Sequence, residues 1–300
     1  MKARYVVFIC LLALSLICVG AFFGARATVS DTKASSFGKD YARIAVYPEE
    51  LITYDGINAF RVNIDERLIS DSHSSEGRLW YDGFISFGKS SVSALESASF
   101  MAEKITAGGD FFTLYELDFL SGTPFYSDDN YSDRIVIDER CSFRLFGSVD
   151  SVDMPVTVDS KEYYVAGVFR ADDSKAWELQ FGEEPVVILP DRIADGNLYS
   201  TYEIVLPDPV NNYALGVVSE AAGENAVTVD VTNRYSLKNL FSHIAELPYR
   251  SYVTRDVAFP WFENSARGEL DRLSLMLTVS LVSITALAVS GVYIIIRRKK

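Results

Sequence analysis

Three hundred residues, 49% of them hydrophobic, carry a net charge of −13 and only three cysteines. Two charge-free runs, Tyr5 to Phe23 and Leu273 to Ile296, hold much of that apolar content. Six of the 28 basic residues lie on the outer sides of these runs and all 41 acidic residues lie between them, which leaves the intervening segment at −19. Such a segment is a poor surface for nucleic acid or for the phosphate face of an anionic membrane, and its two histidines and single cysteine cannot assemble a His/Cys metal site.

Taken in chain order, the first run is a membrane-helix candidate. At about 1.5 Å per residue its length is roughly 28 Å, against a bilayer core of about 30 Å. Ala25-Arg26-Ala27 offers the rival reading of a signal-peptide cleavage site, but the run exceeds the usual signal core of about 7–15 residues, so a retained helix over residues 5–23 is expected. Gly20 and Gly24 form a GxxxG, a spacing that lets a second helix seat closely. Cys10 and Cys18 read as apolar filler, and Cys141 is the one cysteine outside the membrane. Lys2 and Arg4 at one end, and Arg297, Arg298, Lys299 and Lys300 at the other, place both termini in the cytoplasm by the positive-inside rule. The localisation expected is a two-span protein of the cell membrane with residues 26–271 on the far side.

That intervening domain reads as α+β. Arg43–Tyr47 is a strand. Ile57, Phe60, Ile64 and Leu68 recur at helical spacing and predict a helix ending near Asp71, with a loop to Gly77. Strands follow over Leu79–Phe87 and Phe100–Thr106, then a turn at Gly108-Gly109. Further strands fall at 134–138, 154–158 and 163–169, the last two joined by a hairpin turn at Asp159-Ser160, and at 185–189 and 202–206. Tyr213, Val217 and Ala221 share a helix face; 226–231 is a strand and 237–247 a helix. The strand-rich stretch of about 123–200, flanked by helical patterns, predicts an inserted β-rich lobe. From about residue 260 one helix runs to Arg297 without proline. Its first turns form a stalk bearing Trp261, Glu263, Ala266 and Arg267, and its membrane part presents Ser283, Ala286 and Ser290 as a small-residue face for a neighbouring helix. The basic cytoplasmic tail is 297–300.

Two motifs are declined on physical grounds. Gly83-Phe84-Ile85-Ser86-Phe87-Gly88-Lys89-Ser90 fits the nucleotide-binding spacing G-x-x-x-x-G-K-[ST], yet its variable residues alternate like a strand, so a strand ending in a Gly-Lys turn is the expectation. Acidic pairs such as Asp128-Asp129 and Asp172-Asp173 lack the spaced oxygens and glycine of a calcium loop. Neither an esterase elbow nor an acid–base pair stands out. No catalytic residue, cofactor or metal is expected, and the chain is not read as an enzyme.

Several segments together resemble a known family. Arg134–Glu139, Leu145-Phe146-Gly147-Ser148, Met154-Pro155-Val156 and Tyr163–Val168 look like the MacB-type periplasmic core domain. Gly108–Phe112, Glu203–Val210 and Phe259–Arg267 are similar to Gram-positive-type members. The resemblance covers nearly the whole chain and is carried by order and spacing. It implies a two-lobed extracytoplasmic domain, a porter-like lobe with a β-rich lobe inserted, in an ABC transporter permease of the MacB/FtsX kind. The implied partners are a cytoplasmic ABC ATPase, another permease chain and the lipid bilayer. Such permeases commonly have four membrane helices and a cytoplasmic coupling segment. This sequence stops directly after its second helix, so the expectation is a truncated form: half of a split permease, an accessory subunit or an outside module. The alternative is a stand-alone membrane-anchored binding or sensing module.

Overall fold

The computed structural model describes residues 2–31, 40–71, 78–95, 97–125, 133–191, 196–210, 212–245 and 259–298. They fall into two units. A sheet unit comprises residues 40–231 and 255–265, and a helical unit comprises 1–39, 232–254 and 266–300. Parts of several expectations lie outside the described residues: residues 72–77 of the loop, Asp128-Asp129, residues 126–132 and 192–195 of the expected lobe, residues 246–247 of the 237–247 helix and residues 299–300 of the basic tail.

The sheet unit contains β1 (Tyr41–Pro48), α2 (Tyr54–Ser70), β2 (Tyr81–Ser93), β3 (Phe100–Gly109), α3 (Phe111–Leu114), β4 (Phe119–Gly122), β5 (Arg134–Asp138) and α4 (Glu139–Phe146). Then come β6 (Pro155–Val158), β7 (Lys161–Phe169), α5 (Lys175–Phe181), β8 (Val186–Pro190), β9 (Thr201–Pro207), α6 (Tyr213–Ala222) and β10 (Ala226–Asp230). Helix ends follow their side chains. Thr53, Asp138 and Ser174 cap α2, α4 and α5 by accepting from the backbone N–H groups of Gly56, Cys141 and Trp177. α4 stops at Gly147, which takes the left-handed conformation at φ 71°.

All the described strands join one mixed sheet, ordered β10-β1-β9-β2-β3-β8-β5-β7-β4, with β6 pairing both β2 and β7. β3–β8 and β5–β7 are the parallel ladders. The second pairing of β6 closes a ring through β2, β3, β8, β5, β7 and β6. Asp159 in the β6–β7 turn fastens it. Both turn residues have positive φ, as the hairpin requires. Asp159 also accepts from the Ser90 hydroxyl (2.6 Å) and the Ser91 amide (2.9 Å) of β2. Inside the ring pack Val92, Ala102, Ile137, Val158, Val165 and Val187, with Cys141 and Leu145 of α4. A second core lies between α2, α6 and the β9–β1 part of the sheet, around Ile44, Ile64, Tyr202 and Val218.

Two elements differ from expectation. β2 runs to Ser93 without a turn at Gly88-Lys89, because those residues pair with Lys104 and Glu103 of β3 and Lys89 forms a 2.8 Å ion pair with Glu103. The sequence that fits a phosphate loop is therefore mid-strand. β3 likewise continues through Gly108 to Gly109. A Cβ at Gly108 would sit 2.2 Å from the Phe84 ring, and Gly109 turns the chain at φ 65°.

The helical unit contains α1 (Lys2–Asp31), α7 (Leu237–Ile244) and most of α8 (Trp261–Arg298). Phe8, Leu11, Ser15, Cys18, Phe22, Ala25 and Val29 turn inward along α1, alternating steps of three and four as in a heptad seam. Phe22 packs with Leu273 and Leu277 of α8, and at the other end a Cβ on Gly291 would lie 3.4 Å from Phe8. The two helices are thus antiparallel. Both are long enough to cross a membrane and each holds an 18-residue stretch apolar enough to do so.

Two stability predictions follow from the sheet. Gly167 of β7 is expected to reject a side chain, since its Cβ would lie 2.7 Å from the Thr123 carbonyl and from the Phe119 ring. Gly167→Val should lower the unfolding temperature of the detergent-solubilised chain, at a cost of about 1–3 kcal/mol; an unchanged curve would refute this strand packing. Asp138, fully buried under α4, has its carboxyl pushed up to about 6 by burial, against the opposing pull of backbone N–H groups. Stability from this group is complete below its ordinary value near 3.8 and is lost as pH rises through about 6. Asp138→Asn keeps a capping oxygen, so it should match wild type near pH 3 and exceed it at pH 7.5, by about 3 kcal/mol. Equal pH profiles would contradict this.

Candidate functional site

The long helix begins inside a protein core. In the sheet unit, Trp261 at the start of α8 is 5% exposed. Its ring meets Trp177 edge to face at 5.1 Å and Phe181 at 5.3 Å, both from α5, and Phe87 of β2 at 6.2 Å. This seat is the outer surface of the β-ring, where Ile85, Ile105, Val136, Val186 and Ile188 are also buried. Phe262 contacts Tyr115 at 4.5 Å. Glu263 is 2% exposed and accepts a 3.0 Å hydrogen bond from the Tyr47 hydroxyl of β1.

Buried charge braces the same region. Arg43 of β1 bonds Glu203 of β9 at 2.5 Å and the Leu114 carbonyl at 2.5 Å, and its guanidinium lies 4.6 Å from the centre of the Tyr115 ring. Burial works against the charge on Arg43, but Glu203 and Tyr115 together outweigh it and hold the guanidinium pKa above its ordinary value. A second pair, Arg61 to Asp82, is bidentate at 2.7 and 3.0 Å, with the aspartate side chain 0% exposed. Each pair links separate elements and leaves its carboxylate partnered, as a buried charge requires.

In the helical unit, Ala266 is buried and its carbonyl accepts a 3.1 Å bond from the Tyr235 hydroxyl; Arg267 is half-buried. Ser283 is buried, while Ala286 and Ser290 are half-buried. The Ser283 hydroxyl turns back to the Ser280 carbonyl at 2.8 Å. Gly20 and Gly24 are exposed, with no atom within 4 Å of a Cβ built on either. Close approach of α1 and α8 falls instead at Phe8 and Gly291. Among the described residues no group of three or more His, Cys, Asp or Glu is placed to hold a metal. A shallow pocket of about 260 Å³ lies between Glu49, Glu50, Ile52, Phe60 and Ala226.

Sequence reading placed the start of α8 but missed its seat. Tyr47, Trp177 and Phe181 carry no local signal, because they come from strands and helices scattered over 130 positions and meet only after the ring closes.

Residues 7–234 match the MacB-like periplasmic core domain. The chain belongs to that family. It is a family of domains carried by ABC-type transporter permeases, and the resemblance read from residues 134–168 is thereby established. Among solved structures, the MacB-like domain is similar to the extracellular domain of the noncanonic ABC-type transporter YknZ from Gram-positive bacteria, at 14% identity and a TM-score of 0.43. That match covers 63% of this chain and all of the other. It is similar to the periplasmic region of MacB from Actinobacillus actinomycetemcomitans, at 15% identity and a TM-score of 0.45, over 68% of this chain and 95% of the other. A domain of a putative permease protein from Porphyromonas gingivalis matches at 11% identity and a TM-score of 0.37, over 67% and 95%. No curated protein matches.

The seat predicts a clean separation of effects. Trp261→Ala empties a pocket lined by two other aromatic rings of α5 and should cost about 3–5 kcal/mol. Tyr47→Phe removes one buried donor from Glu263 and should cost about 1–2 kcal/mol. Thermal unfolding of the purified full chain measures both, and a Trp261→Ala loss no larger than that of Tyr47→Phe would show that the aromatic seat does not hold the helix.

Proposed function

We propose that this chain is a membrane subunit of an ABC-type transport or mechanotransmission complex, with its outer domain relaying movement to an extracytoplasmic partner or substrate. The observation that carries this reading is the unbroken helix α8. Its first turn is a core element of a MacB-like sheet domain, and its later part is the charge-free run 273–296. A hydrogen-bonded helix resists bending, so a displacement applied in the membrane reaches the outer domain without loss. In this reading α1 and α8 both span the bilayer, the termini are cytoplasmic, and residues of about 123–200 act as the inserted lobe, attached through the β3–β8, β2–β6 and β4–β7 ladders. Gly20 and Gly24 on α1, and the half-buried Ala286 and Ser290 beside the buried Ser283 on α8, offer small-residue surfaces for the helices of a second permease chain, and a cytoplasmic ABC ATPase supplies the work.

The first turn refines where a proline would act. Asn264 is the first residue whose amide bonds back along α8, to the Pro260 carbonyl. A proline at Glu263 therefore leaves the i to i−4 ladder of α8 intact while removing the carboxylate that accepts from Tyr47. A proline at Ala266 lies inside the ladder and breaks it, at about 3 kcal/mol or more.

The test is purification of the intact chain in mild detergent with identification of its partners. An ABC ATPase and a permease chain are expected with wild type and with Ala266→Pro, and in reduced amount with Ala286→Leu. ATP should change the labelling rate of Ser160→Cys in the wild-type background and leave it unchanged with Ala266→Pro. In intact cells an impermeant thiol reagent should label Ser160→Cys and spare Lys300→Cys. If no ATPase is recovered under any gentle condition, the chain is a stand-alone binding or sensing module, and the pocket beside Glu49 becomes the place to look for its ligand.

A further inference from the structure

The short helix α7 has two apolar pairs that face different ways. Leu240 is fully buried and packs with Phe22 of α1 and with Leu273 and Leu277 of α8, and Ile244 lies against the same cluster. Leu237 and Phe241, four residues apart on the adjoining strip, are 39% and 51% exposed. Lys238 and Ser242 continue round to a polar, exposed edge. The remaining side is held by polar contacts: His243 Nε2 lies 2.7 Å from Asp271 and the Asn239 amide donates to the Asn233 carbonyl at 2.8 Å, while the Arg26 guanidinium of α1 donates to the Tyr235 carbonyl just before α7 at 2.9 Å.

The partners of Leu240 fix the depth of this helix. Phe22 is the second-last residue of the first charge-free run, and Leu273 and Leu277 are the first and fifth of the second. If those runs occupy the bilayer, Leu240 lies within about one turn of the edge of the hydrocarbon layer, at the end where α1 leaves and α8 enters. Asp271 and Arg272, the last charges before the run, mark the headgroup level. Leu237 and Phe241 are then exposed not to water but to the boundary between headgroups and acyl chains. We infer that α7 is an interfacial membrane helix, with Leu237 and Phe241 inserted into the lipid on the domain side of the bilayer.

The chemistry fits that occupant. A helix lying in the interface buries its apolar strip by about 5–10 Å while its polar edge stays hydrated. Lys238 stands on the edge beside the inserted strip, where its long side chain reaches the headgroups while its stem covers apolar surface. The same unit exposes further large apolar side chains on both long helices, Phe23, Leu275, Val279 and Val282 each being at least half exposed. The helix would act as a depth stop, setting how far α1 and α8 sink.

This inference rests on the two-span reading, and the test separates the two. The full chain, with Cys10→Ala and Cys18→Ala and with the fully buried Cys141 left in place, is reconstituted into phosphatidylcholine–phosphatidylglycerol bilayers. Spin labels are placed singly through Leu237→Cys, Phe241→Cys, Lys238→Cys and Ser242→Cys, with mid-span controls Ile17→Cys and Val282→Cys. Collision with oxygen reports lipid, and collision with a water-soluble nickel chelate reports water. Labels at 237, 241, 17 and 282 are expected to favour oxygen several-fold, and those at 238 and 242 to favour nickel. Oxygen preference at 17 and 282 with nickel preference at 237 and 241 would leave the spans intact and overturn the inference. Shielding of 237 and 241 from both reagents would mean that a protein surface covers the strip, and also overturns it. Nickel preference at 17 and 282 would overturn the two-span reading and the inference together.

Discussion

One helix in this protein must satisfy two solvents, and the rest of the structure is arranged around that demand. The first turn of α8 has Trp261 and Glu263 buried among side chains of a water-soluble sheet domain. Twenty residues further on, the same helix exposes Leu281, Val282 and Ile284, which only an apolar surrounding tolerates in such number. A helix can do this because its backbone hydrogen bonds close within the segment, so the change of surroundings falls on side chains alone. The burden shifts to the seat, which must hold the head of the helix firmly enough for the remainder to be useful.

That seat depends on the closure of the β-ring. Once β6 pairs with both β2 and β7, the ring has an inner face of aliphatic side chains and an outer face that α5 and the head of α8 cover. Trp177 and Phe181 can then meet Trp261 because α5 is anchored by its Ser174 cap and β8 runs parallel to β3 immediately after it. The turn at Asp159 has two roles here: it reverses the chain, and its carboxylate ties the reversed strand to β2. A carboxylate bonded by a hydroxyl and a backbone N–H contributes more than a neutral acceptor would.

Polar contacts decide orientation more than stability. The Arg43–Glu203 and Arg61–Asp82 pairs lose hydration on burial, and their net worth is small beside that of the apolar cores. What they supply is a fixed pairing of particular elements, since each charge finds its partner in only one arrangement. The Tyr47–Glu263 bond works the same way at the helix head. In the helical unit, the His243–Asp271 contact and the Tyr235 hydroxyl on the Ala266 carbonyl fix α7 and its preceding turn to one side of α8.

The sequence alone determined the elements whose signals are local. Charge-free runs of sufficient length identified α1 and α8; the 3.6-residue spacing of Ile57, Phe60, Ile64 and Leu68 identified α2; Asp159-Ser160 identified the hairpin. The order of such segments was enough to recognise the MacB-like family. Tertiary structure decided what depends on pairing over distance. That the strand through Gly83 continues past Gly88-Lys89 instead of turning there depended on its partner β3, since Lys89 meets Glu103 only across the ladder. The seat of Trp261 joins β1, β2, α5 and α8, and no periodicity within any one of them announces the others. α7 reads from its sequence as an ordinary amphipathic helix, and only its packing on Phe22 and Leu273 sets its depth. Local patterns record which face of an element is apolar, whereas the identity of what covers that face is a property of the folded chain.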